Sequence, residues 1–171
     1  MTNYKENGNN IELIQPDFDL DETLDCGQAF RWEKLESDYK CTYTGFFLDK
    51  PLTISHDGEK FIFHNTTKED FENIWIDYFD FEKDYCEIKT RLSSDETLKK
   101  ACEFAGGIRL LKQDSWECLC SFIISQNNNI PRIKTIISRL CEHYGHFPTA
   151  SEMAQETVEL SLIHISEPTR P

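Results

Sequence analysis

The sequence predicts an α+β fold: an antiparallel sheet followed by a group of helices. Up to about residue 65 the apolar residues alternate with polar ones, and many are aromatic, which is the pattern of half-buried strands. From Thr67 onward they recur at three- and four-residue spacings instead, as on one face of a helix. Apolar residues are 39% and aromatics 12% of 171 residues, enough for a real core without metals or disulfides.

Residues 1–10 are polar and read as a flexible arm. They contain no hydrophobic stretch of the kind a secretory signal needs, so the expected location is cytoplasmic, or nucleoid-associated in a prokaryote. No run reaches the roughly 18 apolar residues of a membrane helix, and no membrane partner is expected. Strand pattern begins after Phe18. Phe30 and Trp32 alternate with Arg31 and Glu33, and Tyr39, Cys41 and Tyr43 with Lys40 and Thr42. Leu52 and Ile54, then Phe61 and Phe63, flank an Asp57-Gly58 turn, a hairpin signal. Such strands imply a sheet with one buried face.

Thr67 with Asp70 suits a helix start, and Phe71, Ile74, Trp75 and Tyr78 form its apolar face. Tyr85, Ile88 and Leu92 mark a further helix. Leu98, Ala101, Cys102 and Ala105 mark another, begun by Ser94-Asp95 and stopped by Gly106-Gly107. Asp114 and Glu117 open the next, with Trp116, Leu119, Cys120, Ile123 and Ile124 as a strongly buried stripe. After Ser125-Gln126-Asn127-Asn128-Asn129, a last helix starts at Ile130-Pro131, where proline is tolerated. It carries Ile133, Ile136, Ile137 and Leu140 inward and ends near Tyr144-Gly145. The expected division is an arm over 1–10, a sheet part over 11–80, a helical part over 81–158 and a tail over 159–171.

The formal net charge of −13 argues against a polyanion partner. The acidity is uneven, however. Residues 1–80 hold 7 Lys and Arg against 18 Asp and Glu, whereas residues 81–150 hold 10 against 9. Any polyanion contact is therefore expected in the second half, where Arg109, Lys112, Arg132, Lys134 and Arg139 lie. The seven cysteines form no Cys-x-x-Cys pair and read as reduced, small core residues. The five histidines show no metal pattern and read as surface or capping residues. No metal and no cofactor are expected.

Two stretches carry potential chemistry. The elbow at Asn127–Asn129 is a poor helix interior. By spacing alone it reads first as a helix–helix turn whose asparagines satisfy caps. The alternative is a wedge, since an asparagine amide mimics a base edge and Arg132 beside it can fork onto base or phosphate. Asn128 and Lys134 belong to the same candidate surface. The second stretch is Asp25–Trp32. Gly27 reads first as a turn glycine opening a strand, with Gln28 and Arg31 as surface residues. The alternative is that a ligand approaches its backbone closely. Lys112 and Lys134 read as phosphate contacts rather than Schiff-base nucleophiles, which need a depressed pKa.

Asp25-Cys26-Gly27-Gln28-Ala29-Phe30-Arg31-Trp32 resembles the Ser-Gly-Gln-Ser-Phe-Arg-Trp signature of 8-oxoguanine DNA glycosylases. The run GGIRLLKQDSWECLCSFIISQNNNIPR, from Gly106 to Arg132, is similar to that family's most recognisable block. The resemblance covers roughly residues 11–157. It implies a twisted antiparallel domain like half of the TATA-binding protein, then the first helices of an all-α helix-hairpin-helix glycosylase domain. It implies a monomer that flips oxidised guanine out of duplex DNA and cuts its glycosidic bond, a lysine attacking the sugar with help from a carboxylate. Carried over by position, Gly27 would offer its carbonyl to the N7 proton of 8-oxoguanine. Asn127 would fill the vacated space, and Arg132 would contact the orphaned cytosine.

The family's Leu-Pro-Gly-Val-Gly type hairpin, the lysine after it and the later aspartate do not occur in this sequence. The expected catalytic residues therefore lie beyond its end. The last stretch, Leu160–Pro171, resembles translated sequencing adaptor. The expectation is a glycosylase and lyase fragment inactive by itself. The alternatives are a non-catalytic module for damaged DNA and a protein-interaction fragment.

Overall fold

The computed structural model describes residues 2–156; the tail expected at 159–171 lies outside them. Six strands form one sheet: β1 (Tyr4–Asn7), β2 (Asn10–Leu13), β3 (Trp32–Lys34), β4 (Cys41–Phe47), β5 (Lys50–His56) and β6 (Phe61–His64). Their spatial order is β1-β2-β6-β5-β4-β3. The helices are α1 (Leu20–Leu24), α2 (Lys68–Asp70), α3 (Ile76–Tyr78), α4 (Tyr85–Leu92), α5 (Glu96–Phe104), α6 (Ser115–Ser125), α7 (Ile130–Tyr144) and α8 (Ala150–Met153). A π-helical turn, Phe71–Trp75, joins α2 to α3.

The expected arm at residues 1–10 is instead a β-hairpin. Tyr4 pairs with Leu13 and Asn7 with Asn10, around a two-residue loop whose first residue, Gly8, has φ 61. Glycine there meets the positive φ that a primed hairpin turn demands. The hairpin is held because β2 pairs antiparallel with β6 and Tyr4 packs on Phe71, ring centroids 4.8 Å apart. A mostly polar strand is no contradiction at a sheet edge, where only part of it is covered.

The inward face carries Ile11, Leu13, Trp32, Tyr43, Leu52, Ile54, Phe61 and Phe63. Against it lies the α2–α3 segment, capped by Thr67 Oγ1, which accepts from the Asp70 amide at 3.1 Å. Phe71, Trp75 and Tyr78 are buried as expected. Trp32 donates through Nε1 to the Tyr78 hydroxyl at 2.8 Å, which satisfies a buried indole.

The sheet's other face is not simply exposed. Thr42 and Ser55, which alternation turns away from the core, are also buried. Ser37, Thr42, Ser55 and His64 form a chain of side-chain hydrogen bonds of 2.7, 2.8 and 2.9 Å. Small hydroxyls pairing across strands satisfy one another on that face, which also buries Ile62 opposite Ser55. Burial pushes the His64 pKa below its ordinary value.

The structure falls into two compact units. One comprises the chain to Gly45 with Pro51–Lys112, the other Phe46–Lys50 with the chain from Gln113. Helices α4 and α5, assigned by period to the helical part, lie in the first unit. In the second, α7 buries Ile133, Ile136, Ile137 and Leu140 as expected and ends at Gly145, φ 77. The stripe on α6 departs from expectation. Cys120 is buried, but Leu119 is 49% and Ile123 62% exposed. The described residues provide no layer over that side of α6. Cysteines behave as core residues only in part, for Cys26, Cys86 and Cys118 are exposed. Among the described residues no helix is long and apolar enough to cross a membrane.

Candidate nucleic-acid interface

In the first unit, the segment from Gly106 to Lys112 is irregular, so its backbone groups need partners other than a ladder. They find them in the region of the other notable motif. Gly107 accepts from the Asp19 amide at 2.9 Å and from Thr23 Oγ1 at 3.0 Å. Its own amide donates to Glu22 Oε2 at 2.6 Å. Gln28 completes the join: Nε2 donates to the carbonyls of Thr23 (2.9 Å) and Arg109 (2.8 Å), and Oε1 accepts from the Leu111 amide (3.0 Å). Gln28 is therefore a brace between the two motifs, not the surface residue expected.

Gly27, beside it, has φ 86, a conformation that penalises any side chain. The expected role of Gly27 as a close-approach position is compatible with this backbone. At Gly107 the constraint is spatial: an added Cβ would lie 2.5 Å from Asp19 Cβ and 2.7 Å from its amide nitrogen. Gly107→Ala is expected to destabilise the fold by about 1–3 kcal/mol, measured as a lower denaturant midpoint.

Arg109 is also relocated. Expected in the basic, polyanion-facing half, it is 1% exposed. Its guanidinium donates to the carbonyls of Asp17 (3.0 Å), Asp80 (2.7 Å) and Pro16 (3.2 Å). It lies 4.3 Å from the Tyr85 ring centroid. Burial lowers its pKa, and Tyr85, Asp17 and Asp80 oppose that shift. Lys112 departs from expectation too, since it pairs with Asp77 at 2.5 Å and Asp80 at 3.3 Å and is engaged within the fold.

In the second unit, the elbow is built from its asparagines. Asp114 opens α6 by accepting from the amides of Trp116 and Glu117 at 3.0 and 2.9 Å. At the other end Asn128 Nδ2 donates to the Ile124 carbonyl at 2.7 Å. Asn129 Oδ1 accepts from the Arg132 amide at 3.1 Å and so caps α7. Two of the three asparagines thus finish the helices, and Asn127 stands exposed between them. The cap reading thus accounts for Asn128 and Asn129. Arg132, half-buried, lies in the first turn of α7. Asn127, Asn128, Arg132 and Lys134 therefore share one capped elbow, while Gly27 belongs to the other unit.

Residues 10–119 match the sequence profile of the 8-oxoguanine DNA glycosylase N-terminal domain. The chain belongs to the 8-oxoguanine DNA glycosylase family. It is 33% identical over 104 residues to an N-glycosylase/DNA lyase of Saccharomyces cerevisiae, covering 54% of this chain and 23% of that protein. It is 28% identical over 141 residues to an N-glycosylase/DNA lyase of Arabidopsis thaliana, covering 79% and 39%. Among solved structures, MBOgg1 in complex with a low-affinity DNA ligand superposes with a TM-score of 0.86 at 40% identity, covering 93% of this chain and 58% of that one. The Clostridium acetobutylicum 8-oxoguanine glycosylase/lyase, in complex with duplex DNA containing cytosine opposite 8-oxoguanine, gives 0.76 at 40% identity, covering 82% and 48%. The chain thus spans less than two thirds of each. These likenesses bear out the expected α+β fold and family. In this member of the family, Gln28 and Arg109, both missed as structural residues, tie the 106–112 segment to the stretch from Pro16 to Thr23 and to Asp80.

Proposed function

We propose that this chain supplies the lesion-sensing and duplex-opening part of an 8-oxoguanine DNA N-glycosylase and AP lyase, and does not turn over by itself. The observation that carries the reading is the elbow. It is a doubly capped turn presenting Asn127, with Arg132 in the first turn of the helix that follows, in a chain of this family. A base removed from a duplex leaves a hole that a fixed amide can fill. In this reading Asn127 enters that hole, Arg132 selects the opposite cytosine, Asn128 holds the shape of the elbow, and Lys134 lends positive charge from another side of α7. Gly27 offers a carbonyl that 8-oxoguanine can meet with a proton and guanine cannot, a discrimination by one unreturned hydrogen bond. The partner is duplex DNA with 8-oxoguanine opposite cytosine, bound by a monomer in the cytoplasm or at the nucleoid.

Three of the lysines are poor candidates for the family's nucleophile. A Schiff-base lysine needs its pKa depressed. Lys34, Lys60 and Lys112 are shifted upward, each by a hydrogen-bonded carboxylate. Borohydride trapping on an 8-oxoguanine:cytosine duplex is expected to give no covalent adduct and no strand cleavage; an adduct would refute the reading that the chain does not turn over by itself. Binding is expected to be weak and salt-sensitive, and Arg132→Ala to reduce it with loss of the preference for cytosine. Unchanged opposite-base preference in that variant removes Arg132 from its assigned role.

A further inference from the structure

The chain carries 31 Asp and Glu in 171 residues, yet none between Glu117 and Glu142. At that density a stretch of this length would hold about four. The acid-free run covers most of α6, the elbow and most of α7. Within it lie three cations, Arg132, Lys134 and Arg139, all on α7.

Their positions on the helix are not equivalent. Residues seven apart return to within about 20° of the same face, so Arg139 stands two turns above Arg132, roughly 10 Å along the axis. Lys134 projects about 200° away from Arg132 and already has an interaction within the fold. The face shared by Arg132 and Arg139 borders the buried side made by Ile133, Ile136, Ile137 and Leu140. Arg139 is exposed. The nearest acid on that side, Glu142, accepts a hydrogen bond from Ser138 at 2.9 Å. A spacing of roughly 10 Å equals about three phosphate steps of rise along one strand of duplex DNA.

We propose that Arg139 is a second DNA-contacting residue, binding backbone phosphate from the same side of α7 as Arg132. The proposal rests on the reading of the elbow given above. It gives Arg139 a positioning role without base readout, since phosphate contacts fix register but carry no sequence information. Arg132 reads the cytosine at the elbow end of this face, and Arg139 holds the strand that runs along it.

The test is fluorescence anisotropy of the full chain with duplexes containing 8-oxoguanine:cytosine, 8-oxoguanine:adenine or no lesion, over a range of KCl. Arg139→Ala is expected to weaken binding to all three by about three- to tenfold and to lower the salt slope by about one. Arg139→Lys should restore most of the affinity, because a point charge suffices for phosphate. The preference for cytosine should not change. Arg139→Ala with wild-type affinity and wild-type salt slope overturns the proposal. So does a loss confined to the cytosine-containing duplex, which would make Arg139 a base-reading residue. If Arg132→Ala loses cytosine preference while Arg139→Ala is neutral, the elbow reading stands and this one fails. If the unaltered chain binds none of the duplexes, both fail.

Discussion

Arg109→Met should lower the stability of the first unit by about 3–5 kcal/mol, the cost of stripping one buried and two part-buried carbonyls of their charged donor. The guanidinium satisfies three carbonyls, of Pro16, Asp17 and Asp80, and its bond to Asp80 is buried. The stacked Tyr85 ring loses its cation as well. Tyr85 is tied in elsewhere: its hydroxyl donates to Asp80 and accepts from the Leu110 amide. Damage at Arg109 should therefore spread to the whole 106–112 segment. Arg109→Lys keeps the charge but has no planar fork for three acceptors, and should fall between the two. Urea unfolding monitored by tryptophan fluorescence reads this directly, since Trp32 and Trp75 sit in the same core. Equal stability of wild type and Arg109→Met would show that the three carbonyls find other donors. Against an ordinary domain stability of about 5–15 kcal/mol, the expected loss takes the chain close to unfolding at physiological temperature.

Gln28→Leu keeps the volume and removes both the donor and the acceptor. Three backbone groups, the carbonyls of Thr23 and Arg109 and the amide of Leu111, then lose their partner, at about 1–3 kcal/mol for a buried group left unsatisfied. Gln28→Glu makes a sharper case. It retains an acceptor for Leu111 but turns a carboxylate oxygen toward two carbonyls. Protonation relieves that repulsion, so the introduced carboxyl should be held above its unfolded value of about 4.3. The sign follows from linkage: stability is greatest below the unfolded pKa and is lost as pH rises through the folded one. The variant should therefore unfold more readily at about pH 7.5 than at about pH 5, relative to wild type at each pH. A pH-independent difference would mean that the introduced carboxylate has swung into solvent.

How much of this was legible in the sequence depended on element length. The strands around Tyr43, Ile54 and Phe63 and the helix of Ile133–Leu140 were readable because several apolar residues repeat at one period. Helix α1 was not, for Leu20–Leu24 is barely more than one turn and leaves no period to see. The β1–β2 hairpin carried a local sign, Asn7-Gly8, but its polar strands hid it; what fixes them is the pairing of Ile11 and Leu13 with Phe63 and Phe61 of β6, far along the chain. The elbow was readable as a polar break between apolar helices. The division of labour among its asparagines was not, since three identical residues look alike until Ile124 and Arg132 claim two of them. Arg109 and Gln28 were misread for one reason. Polar residues are mostly exposed, and only the folded chain reveals carbonyls converging on a particular guanidinium or amide.

The Gln28 brace bears on transplanting parts between relatives. Its three named bonds are all to main-chain atoms, so the partner segment can change side chains at 108, 110 and 112 without disturbing it. A recipient that keeps an amide at the position of Gln28 should accept a foreign strap that carries a small residue at 107 and an arginine at 109. A recipient with the amide replaced should reject even a closely similar one. Compatibility between the halves of such a hybrid would then hinge on positions 28, 107 and 109, not on overall likeness.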